Sequence, residues 1–166
     1  MTIADLAQRR LEQILAADPL EATLIGYRDH DRHLADLSAA AVVARAAERA
    51  ALRTDLLALG PGPLAAQEEI TRQVLLADLD GADDADFADA FAYTVAAFPV
   101  SPSSMLLAYL HMVAAVDAGQ AADYLTRLTE VPRYLAQAGD RLRAGRTAGL
   151  TPVARLVQMA IEQVDR

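Results

Sequence analysis

The residues best suited to chemistry in this chain are its three histidines, His30, His33 and His111, and the acids near them. His30 and His33 bracket Asp31 in an H-x-x-H run, and two imidazoles with one carboxylate are a weak candidate ligand set for a metal. The productive zinc spacing on a helix is different: two His at i and i+4 with a Glu between them, as in H-E-x-x-H. That motif occurs nowhere in the 166 residues. The run His30-Asp31-Arg32-His33 falls in a stretch that reads as loop, where ordinary loop hydrogen bonding competes with ligation. His111 lies beside Met112 on an otherwise apolar helix, the usual setting of a satisfied core or rim histidine.

Other chemistries find no residues to carry them. Cysteine is absent, which excludes a disulfide framework, Cys-ligated zinc, iron–sulfur clusters and thiol catalysis. No G-x-S-x-G elbow surrounds Ser38, Ser101, Ser103 or Ser104. No phosphate loop of the G-x-x-x-x-G-K-[ST] type exists, and lysine is absent altogether. Asp78, Asp80, Asp83, Asp84, Asp86 and Asp89 crowd around Gly81, but the alternation breaks at Ala82, Asp83 stands where a calcium loop needs Gly, and no Glu closes it. A solvated acidic turn leading into an acidic helix N-terminus explains the cluster better. Arg141, Arg143 and Arg146, with Gly145 and Gly149, sit at a helix C-terminus, which repels anions. There the arginines complement the dipole and a glycine ends the helix.

The elements that position these residues follow from composition and periodicity. Hydrophobic residues make up 54% of the chain but aromatics only 5%, and roughly a fifth of the residues are alanine, the best helix former. With no Lys and no Asn, the composition reads as that of a GC-rich, bacterial genome. A net charge of −8 argues against nucleic acid as a partner. No stretch approaches the roughly 18 apolar residues of a membrane span. The N-terminus lacks a basic segment followed by an apolar one, so a cytoplasmic location is expected.

Apolar spacing predicts helices over Thr2–Ala17, Pro19–Ile25, Ala39–Leu59, Leu64–Leu79, Asp86–Ala97, Pro102–Val116, Gln120–Glu130 and Pro132–Ala144, with a last helix opened by Thr151-Pro152. Thr2 with Asp5 makes a capping-box variant, Asp18 and Ser38 are N-caps, and Pro19 and Pro102 occupy first helical positions. Gly26 and Gly149 are the structural turn and C-cap positions. Tyr27–Leu37 is a loop, and Gly60-Pro61-Gly62-Pro63 is a tight turn between helices. Inward faces are expected from Val42, Ala46, Leu52, Leu56 and Leu59, from Ile70, Val74 and Leu75, and from Leu106, Leu110 and Val113. No strand-like alternation appears. The fold class is all-α, an antiparallel array of roughly seven or eight helices in a single domain covering 1–166.

Three ordered stretches carry a family resemblance. The first is Pro19-Leu20-Glu21-Ala22-Thr23-Leu24-Ile25-Gly26, followed by Asp31, Leu34 and Asp36-Leu37-Ser38. The second is Asp123-Tyr124-Leu125-Thr126-Arg127-Leu128, then Val131-Pro132 and Tyr134-Leu135. The third is Arg143-Ala144-Gly145, Ala148-Gly149 and Thr151-Pro152, ending near Gln163. In this order they make the chain resemble the N-terminal part of the bacterial family called domain of unknown function 885. Gly81 to Ser104 shows no such pattern. The resemblance implies helical zinc hydrolases of the metallopeptidase kind, whose H-E-x-x-H helix lies further along a longer chain. In such a site the two His hold zinc and the Glu activates water. None of those residues has a counterpart here, so no catalytic residue and no cofactor is expected on this chain, zinc being implied only for the half it lacks.

Asp31, Asp36, Tyr124 and Arg127 are then the motif residues to test as substrate or interface positions. The expected role is a non-catalytic scaffold that forms a cleft wall or docks a catalytic half. Its partner would be that catalytic chain, or a second copy in a homo-oligomer, meeting an exposed apolar helix face. Val153, Leu156, Val157 and Ile161 on the last helix, or the face around Leu106 and Leu110, could supply it, unless these stripes simply fill the chain's own core. A stand-alone interaction or regulatory protein is the rival reading. A small enzyme binding substrate through His30, Asp31, His33 or Arg127 is a third.

Overall fold

A computed structural model describes residues 2–59, 65–82, 94–96 and 101–165. Among them are eight α-helices, one three-residue 3-10 turn and no strand. The helices are α1 (Ile3–Ala17), α2 (Pro19–Leu24), α3 (Ala39–Ala58), α4 (Ala66–Ala82), α5 (Pro102–Tyr109), α6 (Ala118–Thr129), α7 (Val131–Thr147) and α8 (Ala154–Val164), with the 3-10 turn at Leu110–Met112. The all-helical class expected from the composition is therefore the observed one.

Local chemistry sets most helix starts. Thr2 Oγ1 accepts from the Asp5 N–H while the Asp5 carboxylate accepts from the Thr2 N–H, a complete capping box. Asp18 accepts from the Glu21 N–H ahead of Pro19, and Ser38 from the Ala41 N–H. Asp117 does the same for α6 through the Gln120 N–H, so that helix begins two residues earlier than its apolar pattern suggested. Pro132, with no N–H to give, separates α6 from α7 while the chain stays helical at Glu130.

Two clusters form the interior. In the first, Ile3 and Leu6 of α1 pack with Leu52 and Leu56 of α3 and Leu75 and Leu79 of α4. Leu6, Leu52, Leu56 and Leu79 are fully buried, each worth about 1.5–3 kcal/mol. The pairings Arg9–Asp55 and Gln13 Nε2 to the Glu48 carbonyl run in opposite directions along the two chains, so α1 and α3 are antiparallel. Arg10–Asp78 and Arg53–Asp80 fasten α4 to α1 and α3. In the second cluster Leu20 of α2, Leu34 of the following loop, Leu106 of α5 and Tyr134 of α7 meet.

Several expected faces and boundaries are corrected. Ile70 and Val74 are 54% and 61% exposed, whereas Leu75 is buried as expected and Leu79 joins it. Packing of Leu75 and Leu79 against α1 and α3 sets this rotation of α4, and the pairs Arg10–Asp78 and Arg53–Asp80 accompany it, contacts with distant residues that local periodicity does not contain. Ala46 is exposed, so α3 contributes to the core through its C-terminal half. Helix α4 runs through Gly81 to Ala82, so Asp78 and Asp80 lie on a helix and not in an acidic turn. Asp83 to Asp89 and Gly60 to Pro63 lie outside the described residues. So does most of the Asp86–Ala97 helix, but Thr94–Ala96 are described and are not helical.

The helix expected to reach Val116 stops at Tyr109 and ends in the 3-10 turn. No Gly or Pro ends it. Tertiary hydrogen bonds claim the carbonyls of Leu110 and Ala114, from the Tyr124 hydroxyl and from Arg28 respectively. At the other end α7 extends past Ala144 to Thr147, and Gly145 is inside the helix.

The two candidate docking faces separate. Leu106 is buried and Leu110 packs against the second cluster. On α8 only Ala160 is buried, while Val153, Leu156 and Ile161 are 63%, 39% and 49% exposed. Its apolar stripe is therefore largely outside the core.

Candidate functional site

The motif residues converge on the loop between α2 and α3. Gly26 starts it. Its φ of 99° is open to glycine alone at low cost, and it lets the Gly26 N–H reach the Thr23 carbonyl and the Tyr27 N–H the Ala22 carbonyl, closing α2 as a Schellman turn. The same pair of bonds recurs at Gly149, φ 82°, where the Gly149 and Leu150 N–H groups reach Arg146 and Gly145 and end α7.

Arg127, from the last turn of α6, enters the loop with 0% exposure. Its Nε donates to the His33 carbonyl at 2.9 Å. Its Nη2 reaches the His30 carbonyl at 3.1 Å, the Pro19 carbonyl at 3.2 Å and Thr23 Oγ1 at 2.6 Å. Thr23 Oγ1 in turn lies 2.6 Å from Asp31 Oδ1, and Asp31 Oδ2 is 2.7 Å from Arg28 Nε. Asp31 is itself 4% exposed, and its Oδ1 is 3.8 Å from Arg127 Nη2. Burial pulls the Arg127 pKa down, and the adjacent Asp31 carboxylate opposes that pull. Buried charges of opposite sign must be paired and hydrogen-bonded to persist. In this cluster Arg127 Nη1 and Arg28 Nε are buried without a hydrogen-bond partner among the described residues, Arg28 Nε keeping its ion pair with Asp31.

The rest of the loop is laced to α6 and α7 in register. Arg28 Nη2 donates to Gln120 Oε1 at 2.7 Å, and Arg32 Nε pairs with Asp123 at 2.6 Å. Glu130 accepts from the Leu34 N–H at 2.7 Å and from Arg133 at 2.9 Å, with the His33 ring nitrogen 3.2 Å away. Burial raises the Glu130 pKa, but the Leu34 N–H, His33 and Arg133 together outweigh it and hold the carboxyl below its usual range. Asp36 accepts from the Ser38 N–H and from Gln137 Nε2. The Ser38 N–H is the main reason its pKa is also lowered. Tyr124 donates to the Leu110 carbonyl at 3.3 Å.

Asp31 and Arg127 are thus brought together. Asp36 and Tyr124 lie further along the same seam, and Gly149 is at the far end of α7. His30 and His33 meet Arg127 through their backbone carbonyls, and the His33 ring also faces Glu130. Among the described residues no group of three His, Asp or Glu side chains is placed to hold a metal ion. Gln120, Glu130, Arg133 and Gln137 escaped the sequence reading. Their signal is the polar stripe 120, 123, 127, 130, 133 and 137, spaced by three or four residues on one helical face.

This is an all-helical protein in which a polar stripe on two consecutive helices clamps the loop between α2 and α3 through a buried arginine. The profile of a family described as bacterial protein of unknown function, DUF885, matches residues 19–166, and the chain belongs to that family. No curated protein and no solved structure matches it.

Proposed function

We propose that this chain is a non-catalytic helical scaffold of a metallopeptidase-like hydrolase, forming one wall of a cleft or docking a catalytic half. The observation that carries this reading is the engagement of Asp31 and Arg127 with each other, with Thr23 and with loop carbonyls. Groups so buried act on the chain's own loop and not on a substrate in solvent. The exposed apolar stripe of α8 supports the docking half of the proposal, because contiguous apolar surface of that kind marks interaction sites. Zinc would belong to a partner segment bearing H-E-x-x-H.

The test compares zinc content and peptide hydrolysis of this chain alone and after mixing with a family segment that carries H-E-x-x-H. Hydrolysis only in the mixture is expected, with zinc retained by the added segment. Zinc-dependent hydrolysis by this chain alone would overturn the reading and favour a small enzyme. A stable monomer that neither binds the added segment nor alters its activity would point to a stand-alone interaction protein.

A further inference from the structure

We draw no further inference here: the strongest candidate, the open apolar groove between α3 and α7 lined by Ala39, Val42, Val43, Ala144, Ala148 and Leu150, carries none because nothing in the structure shows what covers it.

Discussion

Arg127 Nη2 and Asp31 Oδ1 stand 3.8 Å apart inside the protein, bridged by the Thr23 hydroxyl, which lies 2.6 Å from each. The arginine belongs to α6 and the aspartate to a loop almost a hundred residues earlier. Truncating Arg127 removes the donors to the His30 and His33 carbonyls and strips Asp31 of one of its two cations. Breaking a buried pair from one side costs about 3–5 kcal/mol, against at most about 1 kcal/mol for a surface pair. Arg127→Ala should therefore fall near 3 kcal/mol, Arg28 remaining beside Asp31. Urea unfolding, read as a shift in midpoint at constant slope, measures it. A loss under 1 kcal/mol would mean the loop is held by something else.

The two positive-φ glycines and one helical glycine should respond with opposite signs. At Gly26 and Gly149 an L side chain must adopt the left-handed region, so alanine at either position should destabilise by about 1–2 kcal/mol. Gly139 lies in the interior of α7, and an added Cβ would meet only the Arg143 guanidinium at 3.6 Å. Gly139→Ala should stabilise by about 0.5–1 kcal/mol. Thermal melts of the three variants side by side decide the matter.

Acid should loosen the loop through Glu130. Its folded pKa lies below the usual value of 4.5. A depressed carboxylate contributes stability that is complete above the unfolded pKa and is lost as pH falls through the folded one. Stability should thus decline as pH drops from about 4.5. Glu130→Gln should be less stable at neutral pH and show a shallower decline below pH 5, by denaturant melts across that range. Parallel curves for the two proteins would remove Glu130 from the account.

The orientation of α4 can be tested with two truncations. Leu79 is 0% exposed and Val74 is 61% exposed. Leu79→Ala should cost about 2–5 kcal/mol, and Val74→Ala should stay within about 0.5 kcal/mol, as surface changes do. The reverse order would restore the inward face that periodicity alone suggested.

Much of the site was legible in part. Asp31, Asp36, Tyr124 and Arg127 are visible as motif positions only through the stretches that resemble the family. The partners Glu130, Arg133 and Gln137 were not, since a stripe of polar residues spaced by three and four looks the same on any solvated helix. Nothing local distinguishes a stripe facing water from one facing a loop ninety or more residues away. The H-x-x-H run drew attention to two imidazoles, whereas Arg127 uses the two carbonyls beneath them, and every residue has a carbonyl.

By itself the sequence determined the helical class and most helix starts and ends. Alanine-rich periodicity favours helix, and the caps at Thr2, Asp18, Ser38, Gly26 and Gly149 work through bonds spanning three to five residues. Tertiary structure alone decided which face of α4 is buried, where α5 stops and how the Gly26–Ser38 loop lies on α6 and α7. Those outcomes depend on Leu75 and Leu79 meeting α1 and α3, Tyr124 meeting Leu110 and Arg127 meeting the loop. Each pairing joins groups far apart in the chain. Its free energy exists only once packing has brought them together, so no window of sequence contains it.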